Sequence, residues 1–323
     1  MKFRRLINAV DVFSVGMIHR VVIGGVPNIH GSTIRQKIQY LERNLDYVRK
    51  MVVEGPDDDK GLVAALITEP TTKEADVGLI LMDAEGYPDM SGSLSFAVGT
   101  ALIETGIIQP SEPVTKFAVD SPVGLLKMRA EVKDGVVESV TTEMTPAFFY
   151  RSHTMDLPGI GRIPLDISYG LNFFEPMINA RELGIEVNLE NAMRFEKIGL
   201  AIRDEVNRSV ELKHPQNPAA NRVKQVQFYD PEPAHPGVNR RSLVIVGPSA
   251  IDLTPSGTST CAHMAFLYSK GELGINEEFV MESVVDAIIR GRIIKEAKVG
   301  DYKAIVPEIT GYTYIARFLT IVS

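Results

Sequence analysis

"MSGSLSFAVGTALIETGI", residues 90–107, and "PSGTSTCAHMAFLYSKG", residues 255–271, decide the fold. Both open on Ser-Gly, continue through small hydroxyl residues and enter an apolar stretch. A helix apolar on most sides has no face to give to water, so it must be wrapped by other structure. Laying one opening on the other pairs Ser91 with Ser256, Gly92 with Gly257, Ser93 with Thr258, Ala97 with Ala262 and Leu102 with Leu267. One such helix in each half of the chain predicts an α/β (α+β) protein of two similar halves, each a β-sheet wrapped around a central helix.

The flanking segments agree. RVVIGGV (20–26), LVAALIT (62–68), DVGLILMD (76–83) and VESVTTEM (137–144) are short, apolar and β-branched, as strands are. TIRQKIQYLERNLDYVRKMVV (33–53) starts on a hydroxyl residue and repeats its apolar residues at helical spacing, which predicts one helix. The second half repeats the order, with strands near 161–169 and 242–248 and a long amphipathic helix over 188–212. The apolar helix from 258 and strands near 290–300 and 303–310 follow. Residues 214–240 are rich in Pro and Asn and are expected to run over the surface.

Bulk composition narrows the function. The chain has 323 residues, enough for two domains with sizeable cores. A net charge of −7 disfavours nucleic acid and anionic membrane as partners. No apolar run approaches the roughly 20 residues that span a bilayer. Asp11 interrupts the apolar stretch after the basic N-terminus, which argues against a signal peptide. The single Cys261 excludes an internal disulfide framework. A cytoplasmic address is expected.

A helix N-terminus carries unpaired N–H groups and partial positive charge, and glycine lets a ligand approach the backbone. Each Ser-Gly opening is therefore a candidate carboxylate-binding end with a hydroxyl at its edge. Serine is also a common N-cap, but capping alone does not call for the duplicated Ser-Gly.

At this point the chain resembles the proline racemase family, which has the diaminopimelate-epimerase-like fold. The family's first motif, Met-Cys-Gly-His, stands here as Met90-Ser91-Gly92-Ser93. Its second, Asp-Arg-Ser-Pro-Cys-Gly-Thr-Gly, stands as Asp252-Leu253-Thr254-Pro255-Ser256-Gly257-Thr258-Ser259. RVVIGGVP (20–27), LITEP (66–70), LMDAEGYPDM (81–90), DISYGLNFF (166–174) and KVGDYKAIVPEITG (298–311) also look like the family, in the expected order.

The resemblance implies a cofactor-independent racemase or epimerase of proline or hydroxyproline. Ser91 and Ser256 take the places of the two proton-transferring cysteines, on opposite walls of a cleft. Gly92, Ser93, Gly257 and Thr258 supply carboxylate donors, and Asp252 receives the ring nitrogen. It also implies a homodimer, an imino-acid substrate and neither cofactor nor metal. The C-terminal segment 313–323 is expected to return to the first domain, giving domains 1–150 plus 313–323 and 151–312.

The departures shape the alternatives. A serine hydroxyl is a far weaker base than a thiolate and normally needs a neighbouring base. No histidine adjoins either serine, and Asp252 is the one nearby charge in the sequence. Val63 and Val246 align with pocket phenylalanines of the family, and Phe13 and Val15 with acidic or histidine positions, which predicts a less polar pocket. A trans-3-hydroxyproline-type dehydratase, needing one base and a leaving hydroxyl, is the first alternative. A carboxylate-binding member without turnover is the second.

Other residues read as structural. Cys261 is expected to be a buried thiol and His263 a hydrogen-bonded core residue. The six histidines show no metal-ligand spacing. Asp57-Asp58-Asp59 reads as a solvated loop, and Gly159-Ile160-Gly161 lacks the rest of a dinucleotide fingerprint.

Overall fold

The computed structural model describes residues 5–54, 62–248 and 250–323. Asp57, Asp58 and Asp59 lie outside the described residues. Contacts divide the chain into two compact units. The first runs to Glu143 and takes up Thr310–Ser323; the second is Met144–Ile309. These divisions fall a few residues before the expected 150/151 and 312/313. The strand that begins at Ala147 pairs along its length with Gly161–Gly170, which draws it wholly into the second unit. Thr310 instead shares a hydrogen bond with Thr141 of the first.

In the first unit, strands β1 (Leu6–Ser14) and β2 (Met17–Gly24) form a hairpin. A crossover leads to β3 (Ala64–Thr68), which lies parallel to β2. β4 (Val77–Met82) returns antiparallel to β3, and a second crossover leads to β5 (Val114–Ser121), parallel to β4. β6 (Gly124–Lys133) and β7 (Val136–Glu143) close an antiparallel meander. The C-terminal strand Thr313–Val322 pairs antiparallel with β1.

The first crossover carries helices α1 (Ile34–Tyr40) and α2 (Tyr47–Val53), the second carries α3 (Gly92–Glu104). Ile34, Leu41, Val48 and Val52 bury themselves against Val22, Leu66 and Ile80 on one side of the sheet. Every residue of β4 is buried, as a strand covered on both faces requires. The single helix expected over 33–53 is instead two helices joined by a π-turn at Leu41–Leu45. There the Asn44 side-chain amide donates to the Tyr40 carbonyl at 3.0 Å and competes with the regular ladder.

The second unit repeats the sequence of pairings. β8 (Ala147–Leu157), β9 (Gly161–Gly170) and β10 (Phe173–Asn179) run antiparallel. A crossover carrying α4 (Ala192–Ser209) leads to β11 (Val226–Asp230), parallel to β10. β12 (Arg240–Gly247) pairs antiparallel with β11, and the short β13 (Ala250–Asp252) pairs with β12. A crossover carrying α5 (Gly257–Lys270) then leads to β14 (Glu278–Ser283), parallel to β12. β15 (Ile288–Val299) follows antiparallel to β14, then β16 (Tyr302–Gly311), which pairs with β8. Phe195, Ile202 and Val206 of α4 pack on Phe228, Leu243 and Ile245 of the sheet.

The expected α/β architecture of two similar halves is therefore present. α3 buries every residue but Glu104, and α5 buries Gly257 through Leu267. Two glycines permit the close packing. A Cβ on Gly170 would stand 2.5 Å from the Thr258 carbonyl in the first turn of α5, and one on Gly311 would stand 2.4 Å from the Phe96 ring of α3.

The surface loop expected over 214–240 is corrected. It contains β11, in which Val226, Gln227, Phe228 and Tyr229 are buried. The Pro and Asn residues that suggested a loop flank this strand rather than interrupt it. Among the described residues no helix is long and apolar enough to cross a membrane.

Candidate active site

The two Ser-Gly openings are helix N-termini, with Ser91 and Ser256 as the residues just before α3 and α5. Their local chemistry differs. Ser91 is half-buried in extended backbone (φ −147°, ψ 125°) and its side chain makes no capping hydrogen bond. The first-turn amides of Gly92 and Ser93, which have no partner within a helix, are thus left without the cap that serine usually provides. The turn is held from behind. Ser14 Oγ donates to the Ser93 carbonyl at 2.7 Å, and Ser95 Oγ donates to the Gly92 carbonyl at 2.6 Å while lying 3.1 Å from Thr142 Oγ1.

Ser256 is buried and has φ 57°, ψ 118°, a conformation that non-glycine residues rarely adopt. The turn before it is built to hold that strain. Thr254 donates its amide and its hydroxyl to Asp252 Oδ1 at 2.9 and 2.7 Å, and the Ser256 amide donates to Thr254 Oγ1 at 2.9 Å. The Ser256 hydroxyl accepts from the Ser259 amide at 3.4 Å and from Gln225 Nε2 at 3.2 Å. Both acceptor positions of the hydroxyl are then used from inside, which leaves its own proton for Asp252, whose charged form a Ser256 hydrogen bond favours. Two N–H donors and the helix end also stabilise negative charge developing on that oxygen.

Behind Ser256 lies a carboxyl group. Glu175 on β10 is fully buried. Its Oε1 accepts from the Ser259 hydroxyl and, at 3.1 Å, from Gln225 Nε2, which also lies 3.0 Å from Ser259 Oγ. Among the described residues its Oε2 has no partner. β10 runs parallel to β11, and Gln225, the residue just before β11, meets Glu175 through its side-chain amide. Burial pushes the Glu175 carboxyl up to about 8, against the pull of hydrogen bonds from Ser259 and Gln225. It is therefore mainly protonated at neutral pH. Burial likewise raises Asp252, opposed by hydrogen bonds from Thr254 and Ser256.

The sequence reading missed Glu175 and Gln225, which lie buried behind Ser256. An acid inside the apolar run FFEPMI was the available signal, since buried glutamates are rare without a partner. The alternation Gln225-Val226-Gln227-Phe228 marked a two-faced strand, which the neighbouring Pro-rich text obscured. Of the positions expected to shape the pocket, Val246 is exposed, Val63 half-buried and Val15 buried, while Phe13 stacks on Tyr314 at 5.0 Å.

Cys261 is fully buried, and burial together with Glu175 raises its thiol, which makes it a structural residue as expected. His263 is buried, lies 3.1 Å from Gln227 Oε1 through Nδ1, and is kept neutral by burial. Among the described residues one group has the composition of a metal site: His235, Glu282 and Asp286, with candidate donor atoms within 4.8 Å of one another. Arg241 donates to Glu282 at 2.6 Å and to Asp286 at 2.8 Å, so a guanidinium already supplies the positive charge there.

The family model described as proline racemase matches residues 9–322. The chain belongs to the proline racemase family. It is 39% identical over 319 residues to a proline racemase of Clostridioides difficile, covering 98% of this chain and 95% of that one. It is 30% identical over 318 residues to a trans-3-hydroxy-L-proline dehydratase of Bacillus cereus, covering 98% and 95%. The crystal structure of a hydroxyproline epimerase from Agrobacterium vitis, solved with bound trans-4-hydroxy-L-proline, superposes with a TM-score of 0.90 at 28% identity, covering 100% of this chain and 94% of that one. The α/β fold of the proline racemase family is thus the fold of this chain, and membership makes it an isomerase or a related lyase.

Proposed function

We propose that the protein is a cofactor-independent racemase or epimerase acting at the α-carbon of proline or a hydroxyproline. Ser91 and Ser256 are the proton-transferring groups, at the positions where the family carries cysteines. The amides of Gly92, Ser93, Gly257 and Thr258 receive the substrate carboxylate, and Asp252 receives the ring nitrogen. The observation that carries this reading is the second helix end, where an inward-hydrogen-bonded serine hydroxyl stands beside the first-turn amides of a buried helix. A hydroxyl held this way supplies or accepts a proton at one fixed point, and first-turn amides suit a carboxylate.

The inequality of the two serines favours a second reading, dehydration of a trans-3-hydroxyproline-type substrate. Elimination needs one group to take the α-proton and return it to the 3-hydroxyl, which leaves as water. A single well-supported group suffices for that.

One experiment separates the readings. Proline and the 3- and 4-hydroxyproline isomers are incubated with the protein in D₂O and followed by NMR. The first reading expects deuterium at the α-carbon and growth of the other α-stereoisomer. Loss of the hydroxyl from trans-3-hydroxyproline selects the second. Neither result, with measurable binding of pyrrole-2-carboxylate, sinks both and leaves a binding protein. Gly257→Val is expected to weaken that binding about 100-fold or more, since a branched side chain blocks the approach to the amides, with an unchanged far-UV circular dichroism spectrum. Unchanged affinity would show that the carboxylate binds elsewhere.

A further inference from the structure

We propose that Glu175 is a positioning residue for Ser256: through Gln225 and Ser259 it fixes the direction of the Ser256 hydroxyl, and its protonation state gates carboxylate binding at that helix end. This rests on the reading of Ser256 as a group that meets substrate.

One hydrogen assignment satisfies the network's contacts. Ser259 has a single hydroxyl proton and gives it to Glu175 Oε1. The Gln225 amide has two N–H groups facing three oxygens, those of Glu175, Ser259 and Ser256. An acceptor at Glu175 therefore keeps the NH₂ end of Gln225, and not its carbonyl, turned toward Ser256. Were the amide reversed, the Ser256 proton would be drawn inward to the carbonyl and away from Asp252. Because Oε1 already accepts, the Glu175 proton belongs on Oε2, the oxygen without a partner.

The surroundings make the protonated form the resting one. The titratable groups facing Glu175 are Asp252 from β13 and Cys261 from α5. β9 brings Ser168 and the residue just before β11 is Gln225, neither of which titrates. None of these is a cation. The carboxyl stays neutral up to about pH 8. Above that its negative charge lies one hydrogen bond behind the first turn of α5 and opposes an incoming carboxylate.

The test uses the full chain, with Glu175→Gln and Glu175→Leu, and pyrrole-2-carboxylate as probe. In the native protein, affinity is expected to fall about tenfold or more between pH 7 and 9.5 as the buried carboxyl ionises. Glu175→Gln keeps an acceptor for Ser259 and Gln225 but cannot ionise, so its affinity is expected to stay flat over that range. Glu175→Leu fills the space without an acceptor. It is expected to lower kcat for α-proton exchange about 30-fold or more with little change in KM, and Glu175→Gln to recover most of the loss at pH 7. Identical pH profiles for the native and Gln proteins, or a Leu variant that exchanges normally, would overturn the proposal.

Infrared spectroscopy judges the coupling without any ligand or turnover. The native protein is expected to show a protonated-carboxyl stretch at pH 7 that Glu175→Gln lacks, and Ser256→Ala to move its titration midpoint. An unmoved midpoint overturns the proposal. Native protein that shows the moving band but neither binds nor turns over the probes refutes the functional reading alone.

Discussion

The two helix ends share a motif and differ in what stands behind it. At α3, serine sits in relaxed extended backbone with its hydroxyl making no cap, and the turn is pinned through the carbonyls of Gly92 and Ser93. At α5, serine sits in strained backbone with its hydroxyl accepting two hydrogen bonds, over a buried acid and amide. A repeated sequence pattern thus specifies a repeated backbone without specifying equal chemistry. The difference comes from what stands behind each helix: β1 offers Ser14 to the first, whereas β10 offers Glu175 and the residue before β11 offers Gln225 to the second.

The sharpest way to break this comparison is through pH. The Glu175 carboxyl titrates near 8 in the folded protein and at an ordinary 4.5 when unfolded. Between those values the unfolded chain has released a proton that the native one still holds. The contribution to stability is therefore fully present below pH 4.5, falls as pH rises toward 8, and is flat above. The loss is on the order of 4 kcal/mol. Urea unfolding at pH 5 and pH 8 is expected to show this slope in the native protein and a much flatter one in Glu175→Gln. No residue described at the first helix end supplies a counterpart.

Packing beneath the helices gives the next largest effect. Gly170→Ala drives a methyl into the Thr258 carbonyl, a backbone atom that can yield only if the first turn of α5 moves. A cost of about 3 kcal/mol is expected from overpacking. Gly311→Ala meets the Phe96 ring, a side chain with somewhat more freedom, and is expected to cost about 2 kcal/mol. Thermal melts of the two variants check the order, and the reverse order would mean that the α5 end is the more pliant.

Capping comes third. Ser256→Ala removes the acceptor for the Ser259 amide and for Gln225, and is expected to cost about 1–2 kcal/mol. Ser91→Ala removes a hydroxyl that makes no cap, and is expected to cost less than about 0.5 kcal/mol. Equal losses in denaturant unfolding would erase the distinction between the two ends. The smallest effect is expected from Ser256→Gly. Glycine adopts the positive φ without strain, so this variant should be more stable than Ser256→Ala by roughly 0.5–1 kcal/mol.

The helices, most of the strands named beforehand and the duplicated Ser-Gly openings were legible because each is a local pattern: apolar periodicity, β-branched runs and capping residues. What escaped was local text whose meaning depends on a distant partner. Residues 214–240 read as a loop because Pro and Asn surround β11, and only its pairing with β10 and β12 makes it a buried strand. The break at Leu41–Leu45 escaped because the apolar period runs on through it.

The sequence by itself determined the two-fold plan of the protein, its family and the serines at both helix starts. The tertiary structure decided that these serines are unlike. Glu175 and Gln225 lie 50 residues apart in the chain and meet each other and Ser259 only because β10 and β11 run side by side in the fold. Burial at that meeting, which no local spacing encodes, keeps the carboxyl protonated and sets the chemistry of the second helix end apart from the first.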